Sequence, residues 1–246
     1  MATRLAFSAA GVMALTLSSH ALAGGGTISG KINFEGTMAQ PKMVRVQGDQ
    51  YCVDAHKDKP IPEERFVFNY EKKTLCNVFV YVSSPVAGAF TAPSTSVEID
   101  QVGCQYTPHV VGVMVGQKMA FKNNDSTAHN LKLVPEINPG FNEGQPQAGM
   151  VKEVSFAKKE LGMPLKCDVH AWMNAYIHVL DNPFFAVSDA NGEYKIEGLP
   201  AGTYEVTVWH EFDKFKPTAE KMTVTVEEGK TATADFTYQP PQKSGG

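Results

Sequence analysis

The sequence is sparing with cysteine. There are four in 246 residues, at positions 52, 76, 104 and 167. It also lacks an excess of positive charge, with 22 Lys and Arg against 26 Asp and Glu and a formal net charge of -4. No basic stripe is available to neutralise phosphates, which argues against nucleic acid as a partner. After the N-terminal leader, no apolar run approaches the roughly 20 residues that a membrane span needs, so no transmembrane segment is expected. No stretch of convincing length carries the helical period, which leaves an all-β class. No Ser-His-Asp or paired-carboxylate arrangement stands out, and no enzyme is expected. His210-Glu211 looks like half of a zinc motif but has no helical partner histidine.

What is present begins with a processing signal. Arg4 precedes a weakly apolar run from Leu5 to Leu17, and Ala21-Leu22-Ala23 supplies small residues where a signal peptidase cuts. Residues 1–23 are therefore expected to be a signal peptide cleaved after Ala23, and the protein to be periplasmic. In an oxidising compartment the cysteines can pair. Cys52–Cys104 is the favoured bridge, although sequence does not fix the connectivity. Cys76 abuts the apolar run Val78–Val82 and reads as a small buried residue.

Short alternating runs follow one another along the chain. Residues 27–34, 66–68 and 77–82 read as strands, and 36–65, rich in Pro, Lys and Asp, as a long surface loop. Residues 106–123 read as strand, tight turn at Gly116-Gln117, strand. Residues 129–133 and 151–156 are further strands, 134–150 a loop, and 176–180 a closing strand. After Asn182-Pro183 the rhythm changes. Strands at 184–187, 194–196, 203–208 and 222–226 are separated by turns such as Asp189-Ala190-Asn191-Gly192, the spacing of a β-sandwich. Residues 239–246 read as a disordered tail.

The chemistry concentrates in Cys167-Asp168-Val169-His170-Ala171-Trp172-Met173. A thiolate, an imidazole and a thioether stand three residues apart. Soft sulfur ligands with imidazole suit copper better than magnesium or calcium, and a His₂Cys set with a weak axial Met is the blue-copper arrangement. His129, after the polar segment Asn123-Asn124-Asp125, is the candidate second histidine. Asn130 is the candidate tie between the two ligand segments. The other histidines are assigned plainer roles: His109 structural or exposed, His178 across the closing strand, His56 in a charged loop.

Two resemblances rest on these residues. Tyr106-Thr107-Pro108 before the strand and Gly116 turn, Asn123-Asn124-Asp125 with His129-Asn130, and Cys167-x-x-His170-x-x-Met173 make residues 98–181 resemble a small cupredoxin with an amicyanin-like ligand loop. That resemblance implies a Greek-key β-sandwich with one type 1 copper held by His129, Cys167, His170 and Met173. It also implies a ligand histidine reaching the surface inside an apolar patch, here expected from Pro139, Phe141, Met163, Pro164, Ala171 and Trp172. Residues 184–238 resemble the carboxypeptidase regulatory-like domain, a transthyretin-like β-sandwich, through Asp189–Tyr194, Leu199–Tyr204 and Val224–Phe236. Gly26–Ile32 is similar to the start of that family. Residues 24–97 are therefore expected to supply its first strands, with the copper unit inserted, against an alternative of units in series.

The expected function is a periplasmic electron carrier. Its partners would be redox proteins such as cytochromes or a membrane electron-transfer complex. The alternatives are copper handling without electron transfer, and a structural interaction module.

Overall fold

The computed structural model describes residues 24–37 and 40–241. The expected signal peptide, and residues 242–246 of the expected tail, lie outside the described residues. Gln239, expected to open that tail, is instead the last residue of the strand Phe236–Gln239, where it pairs with Lys216.

The architecture is all-β apart from short helical turns, and its strands fall into four sheets. The strand Gly26–Phe34 is the organising element of a seven-stranded sheet. It pairs antiparallel with Glu193–Leu199 and parallel with both Thr231–Thr233 and Phe236–Gln239. A Cβ on Gly30 would lie 2.0 Å from the Ala234 carbonyl oxygen, so only glycine admits this close approach. The second sheet of this sandwich orders Phe185–Val187, Phe79–Val82, Gly202–Trp209 and Lys221–Val226. Strands from before residue 83 and after residue 184 thus share both sheets.

Residues 97–180 form two sheets of their own. One runs Phe141–Gln145, His129–Leu133, Glu160–Lys166, Asn174–Leu180, Val110–Met114. The other runs Val151–Ser155, Lys118–Asn123, Val97–Gln101, Tyr106–Thr107. Ile99, Met119 and Phe121 from one sheet bury against Leu131, Leu165, Ile177 and Val179 from the other. The region 134–150, expected as a loop throughout, contains the strand Phe141–Gln145, which pairs residue by residue with Leu133 to His129. Its glycines and prolines sit mainly around the strand, and only Gly144 lies within it.

Side-chain alternation joins the two units. In Phe79–Val82, Val80 and Val82 point into the sandwich core. Phe79 and Tyr81 point the other way, into a separate cluster with Val110 and Leu180. The run Val78–Val82 is continuously apolar because both of its faces are covered. His178 sits at this junction, fully buried, stacked on Phe79 with ring centroids 3.9 Å apart and edge-on to Trp209. Burial alone pushes its pKa down to about 3, so the ring is neutral. A Cβ on Gly112 would meet the Phe185 ring at 2.4 Å, another place where the contact requires glycine.

The segment expected as an extended loop over 36–65 contains a short helix, Gln50–His56. Seven residues are too few to show a helical period in the sequence. The helix forms because the Asp49 carboxylate caps the Tyr51 and Cys52 N–H groups. Its buried residue, Cys52, is bonded to Cys104, the favoured bridge. Cys76 and Cys167 are free and buried.

Candidate metal centre

Strand pairing brings the two ligand segments together. Leu165 and Lys166 pair with Leu133 and Lys132, so the strand that leads into Cys167 lies beside the strand that begins at His129. The loop from Cys167 then closes on itself. The Met173 N–H donates to the His170 carbonyl at 2.9 Å, the Cys167 N–H to the Met173 carbonyl at 3.2 Å, and the His170 N–H to the Cys167 sulfur at 3.4 Å. The Asn130 side-chain carbonyl accepts from the Asp168 N–H at 3.2 Å and ties this loop to the His129 strand.

One donor atom from each of His129, Cys167 and His170 converges, all lying within 4.8 Å of one another. The Nδ1 atoms of the two histidines are 3.0 Å apart, and His170 Nδ1 is 3.9 Å from the Cys167 sulfur. All three residues are buried, as is Met173, which packs in the same core as Cys167. Two other donor groupings, Asp49–Cys52–His170 and Cys104–Asp125–His129, each include a sulfur already committed to the disulfide.

The outer nitrogens of both rings face carboxylates. His129 Nε2 is 2.7 Å from Asp125, and His170 Nε2 is 3.3 Å from Asp49. With Nε2 of each ring turned towards a carboxylate, the Nδ1 atoms face each other on the inside. Burial pushes the His129 pKa down, but the hydrogen bonds and charges of Asp125 and Cys167 outweigh it and raise it to about 9. Burial and the neighbouring His129 lower the pKa of His170. Burial pushes the Cys167 thiol up, yet His129 and the backbone N–H groups of His170, Asn130 and Val169 bring its pKa below the ordinary value. The donor set is two imidazoles and a sulfur, with the thiol biased towards thiolate. These residues fit a copper ion.

The surroundings of His170 differ from expectation. The ring is 1% exposed, because Asp49, Cys52 and the tilted Trp172 ring cover it. Cys52 Sγ lies 3.6 Å from His170 Nε2, and Trp172 Nε1 donates to the Cys104 carbonyl at 3.0 Å. The apolar patch expected around this histidine is replaced by a cap that the disulfide holds in place. The surface next to the loop is instead a groove of about 880 Å³, lined by residues including Arg45, Glu64, Asp168, Trp172 and Glu211. Val169 stands 57% exposed beside it.

His109 occupies a different kind of site. Its Nδ1 is 3.3 Å from Glu64 and 3.0 Å from the Asn174 carbonyl, and its Nε2 bonds Glu211. Burial pushes its pKa down, but Glu211 and Glu64 overcome this and raise it to about 10. The ring is a buried cation clamped between three segments. His210, next to Glu211, is buried and stacked on Phe215, with its pKa pushed down to about 4 chiefly by burial. His56, expected in a charged loop, is instead the last residue of the short helix, with Nε2 2.6 Å from the Gly103 carbonyl.

Among comparisons with known proteins, the model of the carboxypeptidase regulatory-like domain matches residues 173–239. That stretch is similar to the carboxypeptidase regulatory-like domain. Its strands from Phe185 onward lie in the sandwich, whereas Asn174–Leu180 pairs within the sheet of the metal cluster. No curated protein matches the chain in sequence. Among solved structures, the chain is similar to amicyanin from Paracoccus versutus at 21% identity and a TM-score of 0.31, over 41% of this chain and 96% of that one. A purple cupredoxin from Nitrosopumilus maritimus aligns at 21% identity and a TM-score of 0.29, over 34% of this chain and 98% of that one. A copper-containing nitrite reductase from Thermus scotoductus aligns at 23% identity and a TM-score of 0.31, over 39% of this chain. The alignment spans only 25% of the nitrite reductase's length. TM-scores this low decide neither fold nor chemistry, and the weight stays on the geometry of the cluster.

Proposed function

We propose that this protein holds one type 1 copper on His129, Cys167, His170 and Met173 and carries single electrons between redox proteins in the periplasm. The observation that carries the reading is the convergence of His129, His170 and Cys167 donors in a buried site, with Met173 returning from the same short loop. When bound, copper would supply a one-electron Cu(II)/Cu(I) couple. The chain's part is to hold the distances on sheet ends, keep water out and set the polarity around the thiolate. With four ligands from protein there is no open position for a substrate, which favours a carrier over an enzyme. The Cys52–Cys104 disulfide agrees with an oxidising compartment. Among the described residues no helix is long and apolar enough to cross a membrane.

The copper unit is inserted, in this reading, between the first strands of the regulatory-like sandwich and its remainder. The sandwich holds the copper loop at a fixed angle, and the groove beside Trp172 and Val169 is the face a partner approaches.

The burial of His170 under its cap favours a second reading, copper holding without exchange. Voltammetry of the copper-loaded protein decides between them. A carrier gives a reversible one-electron wave and exchanges electrons with a soluble cytochrome. A holding protein gives an irreversible wave or none.

A further inference from the structure

The two histidines of the cluster share a feature that the ligand motif does not contain. Each has its outer nitrogen on a carboxylate, and the two carboxylates come from remote parts of the chain. Asp125, 1% exposed, bonds His129 Nε2 at 2.7 Å and accepts the Gly103 and Cys104 N–H groups, each at 2.7 Å. Asp49, at the start of the capping helix, bonds His170 Nε2 at 3.3 Å across 121 residues of sequence. A neutral carbonyl at either nitrogen would fix the ring equally well. A carboxylate adds a full negative charge, in surroundings where water screens it poorly.

We infer that Asp125 and Asp49 are positioning residues that lower the reduction potential of the bound metal, acting through the two imidazole rings. The inference rests on the copper reading above. The physical reason is charge. Cu(II) carries one more positive charge than Cu(I), so an anion behind each ligand ring stabilises the oxidised form more than the reduced one. Asp125 has the larger effect because it is buried and closer. Asp49 has the smaller effect because it is partly exposed and its contact with His170 is longer. Asp125 also accepts from the Tyr51 hydroxyl at 3.1 Å, so the cap and the His129 segment meet on one carboxylate. The segment 49–56 is then part of the electronic surroundings of the site as well as its cover.

Asparagine is the informative substitution. At position 49 it still caps the helix and still accepts a hydrogen bond from His170, so charge is what changes. The experiment is voltammetry of the full copper-loaded chain, wild type beside Asp125→Asn, Asp49→Asn and Asp54→Asn. Asp54 is an exposed acid on the same helix, bonded to Gln50, and it controls for net charge. Asp125→Asn is expected to raise the ratio of Cu(I) to Cu(II) affinity at least tenfold, a potential rise of about 59 mV for a one-electron couple. Asp49→Asn moves it in the same direction by less, and Asp54→Asn leaves it in place. Should Asp125→Asn fail to fold, the sign of the Asp49→Asn shift decides. Unmoved or lowered potentials in a protein with a normal thiolate–copper band overturn the role of the two aspartates and leave the copper reading standing. A wild-type protein that forms no such band overturns the copper reading, and this inference with it.

Discussion

Two buried histidine clusters lie within this chain, and they are built on opposite plans. At His109 both ring nitrogens are used up by Glu64, Glu211 and the Asn174 carbonyl, so acceptors surround a cation. At His129 and His170 the carboxylates stand on the outside, and the inner nitrogens face each other and a free thiol. A histidine whose donors diverge is a structural fastener. Histidines whose free nitrogens converge on a sulfur make a place for a soft metal. Burial occurs in both, and His129 shares the raised pKa of His109, so neither property separates them, and only the direction of the nitrogens does.

The comparison breaks most visibly at the sulfur. Cys167→Ser is expected to abolish the intense visible band of the copper-loaded protein while circular dichroism shows an unchanged β-fold. A retained band would remove Cys167 from the site. His109→Gln should do the reverse, leaving the band and lowering stability by about 3 kcal/mol, because it leaves the nearly buried Glu211 carboxylate and the half-buried Glu64 carboxylate without their cation. The pH dependence has a definite sign. The folded pKa of about 10 lies above the ordinary value of 6.5, so this stabilisation is complete below pH 6.5. It drains away as pH rises towards 10. Thermal melts from pH 7 to 10 should show the wild type losing stability and His109→Gln losing less of it; parallel curves would contradict the clamp.

Met173→Leu is a smaller perturbation of the converging site. Copper should remain bound and its potential should move, since a thioether ligand would tune it; an unmoved potential would take Met173 out of the proposed ligand set. The smallest effect is expected at Lys132, whose exposed ion pair with Asp168 borders the ligand loop at 2.9 Å. Lys132→Ala should leave the midpoint of a denaturant titration nearly in place and the band unchanged. A clearly lowered midpoint would mean that this pair helps to hold the loop.

Legibility in the sequence followed the range of each interaction. Cys167, His170 and Met173 stand out in the sequence because they share one loop, and His129 because a polar turn precedes it; the donors of His129, Cys167 and His170 do converge. The alternating strands were equally open to inspection, and Gly26–Ile32 carried the family likeness that its pairing with Glu193–Leu199 accords with. Asp125 lies four residues before His129, inside the motif, yet its part depends on where Gly103 and Cys104 come to lie. Asp49 and the cap were hidden more deeply. Their stretch has no periodicity, and the disulfide carries them to His170 from the far end of the chain. For that reason an exposed apolar patch was expected where a lid is found. The His109 clamp was unreadable for the same reason, since Glu64 and Glu211 come from distant segments of the chain.

The most direct measurement is a visible and electron-paramagnetic-resonance spectrum of the purified protein with one equivalent of Cu(II). The account predicts an intense blue band and a narrow copper hyperfine splitting, the signature of thiolate bonding at a type 1 site. A pale sample with an ordinary tetragonal copper signal, or one that binds no copper, would contradict it.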